Sequence, residues 1–192
     1  MTTLEKIVQA KHRRVGIQKL SNSFSDHYIA SNKNIDTPRF FSSLNNCASD
    51  YKIIAEMKKA SPSAGIIIND YKPEELAAEY ESKGYTNLSV LTEEDHFLGS
   101  VAHIAKVRKV TDLPILQKDF IVDEWQIYQA KTIGVDCILL ISEILTKEEI
   151  DSFVKTAKSL KLDVVLEFHD ELEIEKITDI ELDFIGINNR NL

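Results

Sequence analysis

A chain of 192 residues with 43% hydrophobic content can bury a substantial core, and its size suits one domain better than two. Acidic residues outnumber basic ones by 31 to 23, a formal net charge of -8, so a nucleic-acid polyanion is repelled overall. A small anionic substrate is not excluded, because a few lysines converging in a cleft create a local positive field against a negative average.

From Thr3 to Leu20, the apolar residues Leu4, Ile7, Val8, Val15, Ile17 and Leu20 recur at roughly helical spacing among Lys and Arg, which predicts an amphipathic helix. A polar stretch, Ser21 to Thr37, follows. Pro38 then stands where a helix can start, with Phe40, Phe41 and Leu44 as its buried face. Residues 1–50 therefore read as an N-terminal helical extension.

Beyond Asp50, short apolar runs alternate with polar segments of helical character, the pattern of successive βα units. Strands are expected at Lys52 to Lys58, Asn87 to Leu91, Pro114 to Lys118, Asp136 to Ile141, Asp163 to Glu167 and Phe184 to Asn188. Helices are expected at Pro73 to Lys83, Ser100 to Val110, Glu124 to Thr132, Lys147 to Leu160 and Glu171 to Ile177. Thr146 followed by Glu149 fits a capping box, and Gly84 and Gly134 stand where helices should stop. The run Cys137-Ile138-Leu139-Leu140-Ile141 is apolar on both faces, as in a parallel strand covered by helices on one side and by a filled interior on the other. Residues 51–192 thus read as a single α/β domain. Periodicity alone allows either an open doubly wound sheet or about six of the eight units of a (β/α)₈ TIM barrel.

The charged residues at the strand ends carry more information than the strands. In Ile53-Ile54-Ala55-Glu56-Met57-Lys58, the two-residue period puts Glu56 and Lys58 on one face. The third strand ends in Gln117-Lys118-Asp119-Phe120, the fifth in Glu167-Phe168-His169-Asp170 and the sixth in Asn188-Asn189-Arg190. The carboxyl end of a parallel sheet is where ligands bind. A barrel sharpens the expectation, because side chains of one interior layer come from alternate strands. Strands one, three and five then bring Lys58, Lys118 and Glu167 together, supplying an anion site, a proton donor and a proton acceptor. Any single Lys or Glu at a strand end is more often a solvated loop residue; recurrence on three odd-numbered strands is what raises these three above that background.

Other features carry less. The small residues of Ala60-Ser61-Pro62-Ser63-Ala64-Gly65 suit a mobile lid or phosphate loop, but such a turn is more often merely a loop. His169 beside Asp170 suggests a dyad, yet Asp170 stands where a helix N-cap would, which favours a structural role. His96 and His103 have no second ligand at metal spacing, so no metal site is expected. Six glycines form neither a dinucleotide fingerprint nor a P-loop, so no nucleotide cofactor is expected. Cys47 and Cys137 lie far apart in no paired spacing, which suits the cytoplasm. The start of the chain lacks the apolar stretch of a secretory signal, and no apolar run approaches the roughly 20 residues of a membrane span, so no membrane partner is expected.

Several of these segments together resemble one family. Ile54-Ala55-Glu56-Met57-Lys58-Lys59-Ala60-Ser61-Pro62-Ser63 resembles the first-strand signature of indole-3-glycerol phosphate synthases. Ser89-Val90-Leu91-Thr92 with Phe97 and Gly99-Ser100 is similar to the family's second strand and loop. Leu116-Gln117-Lys118-Asp119-Phe120-Ile121-Val122-Asp123, with Gln126-Ile127-Tyr128, is similar to its third strand and helix start. Leu166-Glu167-Phe168-His169-Asp170 and Ile185 to Leu192 resemble the fifth and sixth. Five motifs in order make a specific match over essentially the whole chain.

That resemblance implies a (β/α)₈ lyase of tryptophan biosynthesis. It would convert 1-(2-carboxyphenylamino)-1-deoxyribulose 5-phosphate to indole-3-glycerol phosphate with loss of carbon dioxide and water, without a cofactor. It implies Lys118 as the general acid at the ketone oxygen, Glu167 as acid/base partner in dehydration, Lys58 on the substrate carboxylate and Glu56 orienting the lysines. Asn188 and Arg190 would hold the substrate, Phe97 and Phe120 would flank its aromatic ring, and Ser61 would lie on the phosphate side. Which lysine donates at each step stays open. The family continues for two more βα units that carry another glutamate and most of the phosphate site. Little or no activity is therefore expected of 192 residues alone. Self-association or a complementing C-terminal fragment is expected along the sheet edges. Two other functions compete: a Schiff-base aldolase using Lys58 or Lys118, and a non-catalytic scaffold that associates through those edges.

Overall fold

The computed structural model describes residues 1–21, 39–48, 51–182 and 184–188. Arg190, the polar stretch after Ser21 and the expected helix start at Pro38 lie outside the described residues. Helices α1 (Thr3–Ser21) and α2 (Phe40–Asn46) precede the first strand, β1 (Ile54–Met57). A small antiparallel hairpin follows, β2 (Ala60–Ser61) paired with β3 (Gly65–Ile66). The chain then alternates as α3 (Pro73–Ser82), β4 (Asn87–Leu91), α4 (Val101–Val107), β5 (Ile115–Lys118), α5 (Glu124–Ile133), β6 (Cys137–Ile141), α6 (Lys147–Ser159), β7 (Asp163–Phe168) and β8 (Phe184–Ile187).

Strands β1, β4, β5, β6, β7 and β8 form one parallel sheet in that order. A doubly wound sheet reverses its strand order at a switch point. Here every crossover moves to the next position in the same direction, so the sheet curls as part of a (β/α)₈ barrel.

The two-residue period of the strands sorts their side chains into two cores. On β6, Ile138 and Leu140 face the helices in a cluster with Ile104, Val107, Ile127, Ile150 and Val154. Cys137, Leu139 and Ile141 face the barrel interior with Leu91, Leu116, Phe97 and Phe120. Burial on both faces explains why this strand is a continuous apolar run.

The N-terminal segment reaches both ends of that interior. At the strand starts, Phe40, Phe41 and Leu44 of α2 join the inner cluster. Their backbone is held by strand-start side chains: Asn87 Nδ2 donates to Phe40 O at 2.8 Å, and Phe41 N donates to Asp163 Oδ2 at 3.2 Å. Arg39, just before α2, reaches the fully buried Asp136 at 2.6 Å. At the strand ends, Ile7 of α1 enters the same cluster, while Lys11, Arg14 and Lys19 pair with acids of the loops after β4 and β5.

Helix boundaries follow their chemistry. The Thr146–Glu149 capping box forms on α6, and a second one, Asp123 with Gln126, starts α5. Gly134 ends α5 in the left-handed conformation at φ 83°. Three expectations differ in detail. The first strand is shorter than Lys52 to Lys58, leaving Lys58 just beyond its end. The segment 60–65, read as a lid, phosphate loop or plain turn, has its ends paired in a two-stranded hairpin. The expected helix over Glu171 to Ile177 is instead a 3₁₀ turn, Glu171–Lys176. Six residues with carboxylates at 171, 173 and 175 do not repay the nucleation of an α-helix.

Candidate active site

The inner face of the sheet is apolar until the last residues of its strands. On β5, Leu116 lies in the inner cluster, so Lys118 two residues later points the same way. On β7, Val165 packs against that cluster and Glu167 follows it. On β1, Ala55 and Met57 belong to the helix-facing core, so Glu56 turns inward and Lys58 continues that face past the strand end.

These side chains line one cavity of about 720 Å³ at the carboxyl end of the sheet. Lys118 Nζ lies 2.6 Å from Glu167 Oε2, and Asn188 Nδ2 donates to Glu167 Oε1 at 2.8 Å. Both carboxylate oxygens of Glu167 are thus directed. Lys58 Nζ pairs with Glu56 Oε1 at 2.5 Å on the neighbouring wall. Lys118 and Glu167 are partly enclosed, with side chains 24% and 14% exposed, so they remain open to a ligand. Ser61 lines the cavity from the hairpin, and its Oγ accepts the Ala64 N–H at 3.2 Å. Phe97 and Phe120 form an apolar wall with ring centroids 6.3 Å apart and planes tilted by 38°. Eight of the nine residues expected from sequence therefore share this cavity: Glu56, Lys58, Ser61, Phe97, Lys118, Phe120, Glu167 and Asn188.

Chemically, the cavity offers two ammonium groups, three carboxylates, an amide and an aromatic apolar wall. That set suits an anionic molecule with a planar ring and proton transfer between Lys118 and Glu167. The histidines do other things. His169 Nδ1 faces Glu143 Oε2 at 2.9 Å, His96 lies 3.5 Å from Glu93, and His103 packs edge-on against Tyr71. Among the described residues, no group of three His, Cys, Asp or Glu is placed to hold a metal ion. No helix among them is long and apolar enough to cross a membrane.

A sequence profile described as indole-3-glycerol phosphate synthase matches residues 4–192. This chain belongs to the indole-3-glycerol phosphate synthase family. The synthase of Campylobacter fetus is 44% identical over 174 residues, covering 91% of this chain and 64% of the relative. That of Endomicrobium trichonymphae is 40% identical over 191 residues, covering 98% and 73%. That of Neisseria meningitidis serogroup C is 40% identical over 194 residues, covering 98% and 74%. The chain thus spans between 64% and 74% of the length of these indole-3-glycerol phosphate synthases.

Some cavity features were not anticipated from sequence. Thr3 of α1 lines the cavity, as does Asp119. Glu93, 1% exposed, accepts the backbone N–H groups of Asp95, His96 and Phe97 and so shapes the loop that carries Phe97. Gly99 closes that loop where a Cβ would meet Leu91 O at 2.6 Å and Glu93 O at 2.7 Å. One signal was present in the sequence: Lys11 falls between Ile7 and Val15 on the buried stripe of α1, where a charged residue needs a partner.

Proposed function

We propose that this chain supplies the ring-closing half of an indole-3-glycerol phosphate synthase site. The reaction is conversion of 1-(2-carboxyphenylamino)-1-deoxyribulose 5-phosphate to indole-3-glycerol phosphate. The observation that carries this is Lys118 and Glu167 in contact at 2.6 Å, inside a cavity that also has an aromatic wall.

Ring closure needs a proton delivered to the ketone oxygen as the arene attacks the carbonyl carbon, and Lys118 is the donor. Carbon dioxide then leaves from the ring carbon that carried the carboxylate. Loss of water needs a proton removed and one delivered to the departing hydroxyl, which Glu167 and a lysine share. Lys58, steadied by Glu56, binds the substrate carboxylate. Asn188 orients Glu167 and, with Arg190, holds the substrate, while Ser61 lies towards the phosphate. Phe97 and Phe120 receive the carboxyphenyl ring. The two cysteines are free thiols, as a reducing cytoplasm would keep them.

The terminal strands also carry exposed apolar side chains, with Ile54 at 36%, Ile185 at 49% and Ile187 at 72% exposure. They are the docking edge for further βα units, because exposed strand edges with apolar faces recruit additional strands.

Indole fluorescence tests both statements. The substrate is offered to the chain alone and to the chain mixed with the C-terminal part of the Neisseria meningitidis relative. Product formed only on mixing supports both statements, and product formed by the chain alone supports the site but not the docking edge. No product in either case counts against the synthase, and a borohydride-trapped substrate adduct on Lys58 or Lys118 would favour an aldolase.

A further inference from the structure

Lys11 is the most enclosed charge on α1, at 4% exposure. Its ammonium lies 2.7 Å from Asp119 Oδ1 and 2.9 Å from Glu94 Oε2. The two acids belong to different loops. Glu94 sits in the loop after β4, three residues before Phe97, and Asp119 follows Lys118 and precedes Phe120. One lysine on the N-terminal helix therefore ties together the two loops whose phenyl rings form the aromatic wall.

Each loop is internally stiff. Glu93 accepts the N–H groups of Asp95, His96 and Phe97 at 2.8–3.0 Å, which fixes Phe97 relative to Glu94. Asp119 Oδ1 accepts the Phe120 N–H at 2.8 Å within the second loop, while Asp119 Oδ2 accepts the Thr92 hydroxyl at 2.6 Å across to the base of the first. The Thr92–Asp119 bond joins the two loops at their bases, and Lys11 is the bridge two residues further along the first loop, at Glu94. Four-residue spacing puts Thr3, Ile7, Lys11 and Val15 on one face of α1. Thr3 reaches the cavity, Ile7 shares the inner apolar cluster with Phe97 and Phe120, and Lys11 holds the acids. Burial alone would lower the Lys11 ammonium, but Asp119 and Glu94 outweigh it and hold it above its ordinary value, so the clamp stays charged.

We propose that Lys11 is a positioning residue that sets the separation of Phe97 and Phe120, and with it the fit of a 2-aminobenzoate ring. The identity of the ring rests on the proposed function, whereas the effect on the two phenyl groups does not. Without the ammonium, Glu94 and Asp119 repel across the gap and the loops part.

Two measurements separate these dependences. The first is the ring-to-ring nuclear Overhauser effect between Phe97 and Phe120 in phenylalanine-labelled protein, which needs no ligand. It is expected to be lost in Lys11→Met, restored in Lys11→Arg and intact in Val15→Ala, which trims a buried residue of the same helix. An unchanged effect in Lys11→Met, or an equal loss in Val15→Ala, overturns the proposal. Should Lys11→Met fail to fold, Glu94→Gln removes one arm of the clamp and must weaken the same signal, and an unchanged signal there overturns the proposal.

The second measurement is binding of 2-aminobenzoate, followed by its own fluorescence. Lys11→Met is expected to weaken it by about tenfold or more, since small misplacements of a binding wall carry such effects. Lys11→Arg and Val15→Ala should bind as the wild type does. A wild-type protein that ignores 2-aminobenzoate yet loses the Phe97–Phe120 signal in Lys11→Met would keep the clamp and reject the ring it was assigned.

Discussion

Lys118 and Glu167 touch at 2.6 Å although their strands are not neighbours, because β6 runs between β5 and β7. Adjacent strands of a tilted barrel present their inner side chains at different heights, so alternate strands meet in one layer. The residues β6 places on that inner face are apolar, Leu139 and Ile141, and both line the same cavity. The ion pair thus spans an apolar floor, which strengthens it relative to water and keeps both groups aimed into the cavity.

Gly99→Ala should destabilise the chain by about 1–3 kcal/mol, the range for forcing extra atoms into a packed site. The added methyl meets backbone atoms of Leu91, Thr92 and Glu93, which cannot swing aside as a side chain would. Urea denaturation should show a lower midpoint with an unchanged slope.

Arg108 holds Asp136 together with Arg39, and also donates to Gly134 O at 2.8 Å and Leu113 O at 2.5 Å. Asp136 is fully enclosed. Arg108→Met leaves that carboxylate with one cation instead of two, and should cost about 3 kcal/mol, as breaking a buried pair does. Asp136→Asn in the same background should recover part of the loss. Equilibrium unfolding of the two variants reads both effects.

His103 is held below the ordinary imidazole value by burial first, then by Lys106 and Lys59, with Glu74 opposing. Because its folded-state pKa is depressed, the unfolded chain takes up the proton first as the pH falls. The stability tied to neutral His103 is therefore complete above about pH 6.5 and lost as the pH drops through the lowered value. His103→Phe should lose less stability than the wild type between about pH 7.5 and pH 5.5. Equal losses in the two proteins would show that another group governs the acid limb.

Much of this was legible in the chain itself. The order of the six parallel strands follows from runs such as 137–141 set between amphipathic helices, and the C-terminal position of Lys58, Lys118 and Glu167 puts them around one cavity. What escaped has physical causes. The hairpin of β2 and β3 uses two residues per strand, too few to show a period. The Lys11 clamp joins residues more than 80 positions apart, a distance at which spacing carries no signal. The bonds from Asn87 and Asp163 to α2 involve backbone acceptors and donors, which any residue type supplies.

The most direct test is a double-mutant cycle on Lys118 and Glu167, measured as indole-3-glycerol phosphate formation by the chain combined with the C-terminal part of the Neisseria meningitidis relative. Lys118→Ala and Glu167→Gln should each lower turnover by about 10²- to 10⁴-fold. Groups acting as one unit are non-additive, so the double variant should be little worse than the more damaged single one. Losses that multiply, or a Lys118→Ala enzyme that turns over as the wild type does, would contradict the shared role assigned to this pair.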